Sequence, residues 1–459
     1  MFVPVNRLPP EILSRVLEYR TSERDLVAAT QVCRGWRYSL ISSPSLWTCF
    51  QFKFSCDGNR TLTYLERSGS APIDVYVNTN WVQDLDVLKY LAPHIGRTRS
   101  LTIHASYGVH DATLLLCNPA PLLQHLEIYA SEGIIHLSDD FLGRQAPSLR
   151  FIRFNYIYPK LETLLPLPNL TEFHLSLPSG TGPLRMGTLF QFLSSSPLLQ
   201  KIGINVSDPV VHDIPPGQVI SLESLVELDY TSISAGQILP FLKLPRLERF
   251  QVTSLLRPGQ AQTLANILPY GGRPILARAT KMTYLSHLYA YGDVVGLSGS
   301  GVDVLFSAFC TTRGPISVDR FSGQTCVPLE QIEDLKLEGY SPTAAGFPID
   351  FSAFRSLRVL RVAIWGREYT EELLYSLGPE SGAEVPCPSL EEIEIEHSYW
   401  GSQEPLPRLF IDLVRERKRA GHQLRLVCLV VTPDSDQDLV EELRKHVEEV
   451  QVREWVGNV

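Results

Sequence analysis

Two hydrophobic periodicities divide the chain. Between residues 8 and 47, apolar side chains recur three and four positions apart: Leu8, Ile12, Leu13, Val16 and Leu17, then Leu26 and Ala29, then Trp36 and Leu40. That spacing places them on one face of a helix. Pro9 and Pro10 mark a helix start, because in a first turn the missing N–H breaks no ladder bond. Three short helices are expected. The first opens at Pro9-Pro10, the second covers Glu23 to Val32, and the third runs through Cys33 and Trp36 before Ser43-Pro44-Ser45-Leu46-Trp47 closes the unit. A unit this small has little interior, so its many large apolar groups imply a partner that covers some of them.

Further on, the pattern becomes apolar-x-x-apolar-x-apolar, often introduced by proline. It recurs as Leu123/Leu126/Ile128, Leu149/Ile152/Phe154, Leu170/Phe173/Leu175, Leu199/Ile202/Ile204, Leu225/Leu228/Tyr230 and Leu247/Phe250/Val252. It resumes as Ile332/Leu335/Leu337, Leu357/Leu360/Val362 and Leu390/Ile393/Ile395, with a degenerate copy at Leu101 and Ile103 starting the series. The alternation at the end of each unit is that of a strand buried on one face. Helical patterns lie between units, at 186–193, 235–242, 260–268, 302–309, 370–377 and 409–419. Strand then helix, repeated, predicts a curved α/β solenoid with parallel strands on the concave face and helices on the convex face. The stretch 253–331 fits least well: Leu285 and Leu288 suggest a worn repeat, and Gly292 to Gly301 reads as a projecting loop. A strand at Leu424 to Val431 and a charged helix at Asp436 to Glu449 are expected to cap the end. The predicted organisation is a helical module at 1–50, a linker and solenoid cap at 51–98, irregular repeats at 99–431 and a terminal cap at 432–459.

In such a solenoid the polar residues between the last two apolar positions, with their neighbours, line the concave face. The candidates for holding a target protein are Glu127, Tyr129, Arg153, Asn155, His174, Asp229, Arg249, Gln251, Lys336, Arg361, Glu392, Glu394 and Glu396. Both signs of charge are present, and the last repeat offers three carboxylates on one strand face, suited to a basic segment.

Composition narrows the function. A formal charge of −9 argues against a nucleic-acid partner, since phosphate binding draws on concentrated Lys and Arg. The densest basic run, Arg415 to Arg419, reads as the solvated face of a helix. The eight cysteines are scattered without a CxxC pair, so neither zinc nor a disulfide frame is expected. No cofactor is implied. Without a basic-then-apolar leader, and with Leu426 to Val431 as the longest apolar run, a membrane role is not expected and a soluble cytoplasmic or nuclear chain is. Gly296-Leu297-Ser298-Gly299-Ser300-Gly301 only approximates a nucleophile elbow or a phosphate loop, which leaves a hydrolase as a remote alternative.

Leu8-Pro9-x-Glu11-Ile12-Leu13, Asp25-Leu26, Val32-Cys33-Arg34-x-Trp36 and Leu46-Trp47, in that order, closely resemble the F-box motif. The resemblance implies docking onto the Skp-type adaptor of a cullin-RING ubiquitin ligase through Leu8, Pro9, Ile12, Leu13, Val16, Leu17, Leu26, Val32, Cys33, Trp36, Leu46 and Trp47. It implies a non-catalytic subunit that captures a target for ubiquitination. Tyr19-Arg20-Thr21 departs from the apolar end usual for the first helix. The continuation from Tyr64 to Val75 is similar to the segment following the F-box in the large fungal families. The later repeats resemble irregular leucine-rich repeats, without the asparagine or cysteine ladder of strict ones. A non-degradative scaffold, using the F-box as a cap or for adaptor binding alone, is the alternative.

Overall fold

The computed structural model describes residues 9–18, 23–52, 58–78, 86–105, 115–131, 134–161, 167–177, 184–207, 209–210, 214, 219–232, 235–256, 278–287, 292–299, 302–310, 329–339, 350–364, 367–378, 385–396, 408–431 and 437–454. The chain divides into two units, Met1–Val206 and Ser207–Val459.

The first unit opens with helices α1 (Pro10–Glu18), α2 (Glu23–Ala29) and α3 (Arg34–Ile41). Leu13, Ala29 and Leu40 form their core, with Leu17, Trp36 and Leu46 packed against it. Cys33 is the N-cap of α3, its sulfur accepting from the Trp36 N–H at 3.4 Å. This use of the side chain at a helix start satisfies a donor that has no partner within the helix. The Trp47 indole donates to the Leu40 carbonyl at 2.8 Å.

Seven parallel strands follow: β1 (Cys49–Phe52), β2 (Ile73–Asn78), β3 (Thr98–Ala105), β4 (His125–Ala130), β5 (Phe151–Asn155), β6 (Glu172–Leu177) and β7 (Lys201–Val206). Each pairs with the next. The register aligns Phe50, Val75, Leu101, Leu126, Ile152, Phe173 and Ile202 in one row, and Phe52, Val77, Ile103, Ile128, Phe154, Leu175 and Ile204 in a second. Every member of both rows is buried, each removal from water stabilising by about 1.5–3 kcal/mol. The ladder therefore begins two strands before the repeat series visible in the sequence. Helices α4 (Gly58–Ser68) and α5 (Asp86–Leu91) connect the first three strands, and α6 (Met186–Ser194) precedes β7, close to the expected 186–193.

The recurring proline has a local explanation. In Ala120-Pro121-x-Leu123, Ala146-Pro147-x-Leu149, Leu167-Pro168-x-Leu170 and Ser196-Pro197-x-Leu199, the leucine N–H returns to the carbonyl three residues earlier at 3.0–3.2 Å. Proline's fixed φ suits the second position of such a turn. The residue after each leucine then bonds back one repeat: Arg150 N–H to Gln124 O at 2.9 Å, Thr171 to Arg150 at 2.8 Å, Gln200 to Thr171 at 2.8 Å.

The second unit holds β8 (Glu227–Ser232), β9 (Arg249–Leu256), β10 (Ala279–His287), β11 (Gly292–Gly299), β12 (Val302–Cys310), β13 (Asp334–Gly339), β14 (Val359–Ile364), β15 (Glu392–Glu396), β16 (Leu426–Val431) and β17 (Glu449–Glu454). Helices α7 (Ala235–Ile238), α8 (Arg367–Leu377), α9 (Arg408–Arg419) and α10 (Gln437–Leu443) lie between them. Strands β8–β9 and β13 to β17 pair in parallel.

Three sequence expectations are corrected here. Gly292 to Gly299 is strand β11 rather than loop, residues 300 and 301 lying outside the described residues, and 302–309 is strand rather than helix. Both belong to an antiparallel meander β10-β11-β12 whose outer strands pair in parallel with β13 and β9. Short apolar runs such as Val302 to Phe309 fit either period, and glycine is tolerated in a strand held by partners on both sides. The expected helix at 436–449 ends at Leu443, and Val450 and Val452 alternate in β17. The helix expected at 260–268 lies outside the described residues, as does Leu288.

The Arg415–Arg419 face is likewise not wholly solvated. Phe410, Leu413, Val414 and Arg417 make the buried side of α9. The Arg417 guanidinium donates to the carbonyls of Pro386 at 2.7 Å, Cys387 at 2.8 Å and Leu377 at 3.4 Å.

Candidate functional site

Two kinds of surface carry the candidate residues. On the helical segment, α1 divides its apolar positions between inside and outside. Leu13 is buried and Leu17 packs on the core, whereas Ile12 and Val16, one turn apart, are 46% and 59% exposed. Val32 follows at 61%, Tyr38 at 79% and Ile41 at 37%. Of eleven large exposed apolar side chains among the described residues, these are five. An apolar concentration of this kind marks an interaction surface, whereas single exposed apolar residues do not.

Of the residues expected to meet the adaptor, Pro9, Ile12, Val16 and Val32 are exposed. Leu17, Cys33, Trp36 and Leu46 are half-buried, and Leu13, Leu26 and Trp47 are core. Leu8 and Tyr19 to Thr21 lie outside the described residues. Trp47 packs against Tyr64 with the rings tilted at 59° and their centroids 5.0 Å apart. It joins the helical segment to α4 rather than presenting a surface. Tyr38 and Ile41 are exposed apolar residues that the motif did not indicate; their position on the outer face of α3 is the signal that finds them.

On the polar face of the first ladder, register aligns Glu127, Arg153, His174 and Gly203 in one rung, and Tyr129, Asn155, Ser176 and Asn205 in the next. Their side chains make a connected group. Tyr129 donates to Glu127 at 3.2 Å and Arg153 to the Tyr129 hydroxyl at 3.2 Å, while His125 lies 3.1 Å from Glu127 and His174 lies 2.7 Å from Glu172. Rings stack across strands: His104 on Tyr129 at 4.4 Å, Tyr76 beside His104 at 5.3 Å, and His125 on Phe151 at 4.1 Å. Desolvation lowers the His104 pKa despite the opposing Glu127 charge, and desolvation raises that of Tyr129. Gly203 is required here, because a Cβ at that position would collide with the His174 ring. The sequence reading missed Tyr76, His104, His125, Phe151 and Glu172. His104, His125, Phe151 and Glu172 occupy the flanking rungs of the same period-two face, whereas Tyr76 aligns with Thr102 and Glu127 in the central rung and fell in the segment read as linker.

The polar face of the second unit is of another kind. Its aligned rung runs Asp229–Gln251–Leu305 and, across the meander, to Thr283–Lys336–Arg361–Glu394–Cys428. Ion pairs dominate it: Arg249–Glu227 at 2.7 Å, Arg361–Asp334 at 2.5 Å, Arg361–Glu394 and Arg453–Glu394 each at 3.5 Å, with Lys336–Glu338 and Arg425–Glu392 also paired. Glu392 and Glu394 are thus already neutralised by arginines of their neighbours, and Glu396 also has an interaction partner. The three carboxylates do not form an open acidic patch.

Among the described residues, no three His, Cys, Asp or Glu side chains are grouped to hold a metal ion, and no helix is long and apolar enough to cross a membrane. Gly296 to Gly299 lies within β11, whereas a nucleophile elbow needs a sharp strand-to-helix turn.

A family model described as F-box-like matches residues 5–53, which span the helical segment and reach through β1. No curated protein matches the chain.

Proposed function

We propose that the chain is the target-recognition subunit of a Skp-cullin-F-box type ubiquitin ligase, with the F-box-like segment as its dock. F-box proteins are in general non-catalytic adaptors that bind Skp-type proteins. The observation that carries the reading is the coincidence of the F-box-like match with the concentration of exposed apolar side chains on α1 and α3. Ile12, Val16 and Val32, with Pro9, make the direct contacts to the adaptor. Leu13, Leu26, Trp36, Leu46 and Trp47 hold the helices that present them, and Cys33 caps α3. The strand ladders are irregular leucine-rich repeats of the kind found in large fungal F-box families, and their polar faces receive the target. The described concave-face candidates from Glu127 to Glu396 belong to those faces, with the stacked His and Tyr surface of the first unit the more suited to binding. Catalysis belongs to the other subunits, and this chain contributes by holding the target near them.

Affinity purification tests this under proteasome inhibition. Removing residues 1–50 would expose Tyr64 and delete half of β1, so the informative comparison is wild type against Ile12→Glu/Val16→Glu. Adaptor and cullin should co-purify with wild type alone, and targets should accumulate with it. Adaptor without cullin would favour a non-degradative scaffold.

A further inference from the structure

Strand β17 is built from Glu449, Val450, Gln451, Val452, Arg453 and Glu454, and it pairs in parallel with β16. Register sets Val450 beside Val427 and Val452 beside Leu429, so the two valines continue the two apolar rows. Ile395 and Leu429 are buried in the second row, yet Val452, its next member, is 48% exposed. A residue inside such a row is covered by the strand before it and the strand after it. Val452 has β16 on one flank, and its exposure marks the other flank as open to water. Glu449 and Arg453 are exposed on the polar face of the same strand.

The Glu449 N–H donates to the Arg425 carbonyl at 2.9 Å. Successive strand residues point their backbone groups to opposite edges, so Glu449, Gln451 and Arg453 turn theirs toward β16 and Val450 and Val452 turn theirs outward. Such an outward row is a template for another strand.

The order of side chains selects which strand fits. When two copies of β17 run antiparallel with Gln451 opposite Gln451, Val450 meets Val452 and Glu449 meets Arg453, and the two-fold axis repeats each pair. Outward valine amides then face outward valine amides, as an antiparallel ladder requires. Glu449 and Arg453 fall at the sites without backbone bonds, where side chains approach most closely. Slipping the register so that either valine faces itself places the other opposite Glu448 or Glu454, so the alternatives set an apolar residue against a carboxylate. Gln451 donates to the Glu449 carboxylate at 2.6 Å, and Arg453 lies 3.5 Å from Glu394 with its side chain 58% exposed. Its guanidinium fork has donors for a second carboxylate.

We propose that β17 is a self-association edge through which two copies of this chain pair as an antiparallel two-fold dimer. The second copy covers Val452 with its own Val450, and each Arg453 gains the other copy's Glu449. Because the same patch serves on both sides, the contact closes at two chains. All of these residues lie outside the F-box-like match at 5–53, so the proposal stands apart from the docking reading.

Sedimentation equilibrium of the full chain across a range of concentrations tests this. The mass should rise from that of one chain to that of two and stop there. Val452→Pro removes an outward N–H and no bond to β16, so it should abolish the dimer while the dilute chain melts normally. Arg453→Glu and Glu449→Arg each set like charges opposite one another and should weaken pairing by about ten-fold. The double variant Glu449→Arg/Arg453→Glu restores opposite charges and should recover the dimer, a rescue that a role confined to one chain would not produce. A chain monomeric at every concentration, growth beyond two chains, a dimer indifferent to Val452→Pro, or a double variant no better than the single ones would each overturn the proposal.

Discussion

The helical segment and the strand ladders treat their apolar residues in opposite ways. In β1 to β8 and β13 to β16 the alternating apolar residues are buried in aligned rows, which end at β17 with Val452 exposed, and the polar face pairs many of its charges within itself. In the helical segment the core takes Leu13, Leu26, Ala29, Leu40 and Trp47, and other large side chains on α1 and α3 remain in water. A row in a ladder is completed by the next repeat of the same chain, whereas a three-helix unit has no next repeat. The surplus apolar surface is therefore evidence of an external partner, and the complete rows are not.

Substitutions that separate the two regimes sharpen this contrast. The largest effect is expected at Arg417, whose removal leaves buried carbonyls without a donor. Arg417→Ala should lower unfolding free energy by about 3–5 kcal/mol in a denaturant titration. Within α1, Leu13→Ala should cost about 2–4 kcal/mol, while its neighbour Ile12→Ala should cost no more than about 0.5 kcal/mol; equal costs would break the inside–outside division. Burial pushes the Cys387 thiol up from its ordinary value of 9.0 to about 12. In that window only the unfolded thiol ionises, so this group's contribution to stability is full below about pH 8 and falls by at most about 1.4 kcal/mol per unit as pH rises from 9 toward 12. Unfolding measured between pH 8 and 10 should show that slope, and Cys387→Ala should remove it. The smallest effect is expected on the charged face, where Arg358→Ala should leave stability unchanged within the error of the same titration, since its pair with Glu391 is exposed and screened.

How far the sequence reveals this architecture depends on the element. The repeats at β4 to β7 and at β9 were legible because a proline turn, a leucine and two alternating apolar residues act together, and β8 because its leucine and alternating apolar residues keep the same spacing. Strands β1 and β2 follow other entries and were hidden. The meander was hidden because β11 is glycine-rich and the run in β12 fits either period. The division of α1 could not be read from spacing alone: Ile12, Leu13, Val16 and Leu17 share one broad arc, and only the packing of α3 and Leu46 decides which pair is covered. For the ladder faces, the central rung was legible from the motif. The stacking of His104, Tyr129, His125 and Phe151 depends on strand register, which joins residues a repeat apart. The pairing of Glu392 and Glu394 with Arg425 and Arg361 is equally a matter of register, and it turned an apparent acidic patch into a neutral one.

The central claim is that the exposed strip of α1 docks a Skp-type adaptor. Its most direct test is the affinity of the purified full-length chain for that adaptor, compared between wild type and Ile12→Glu/Val16→Glu. Two carboxylates placed in an apolar interface should weaken binding by at least about a hundred-fold, with the melting temperature unchanged because both positions face water in the free chain. An affinity equal to that of wild type in a variant that melts normally would contradict the claim.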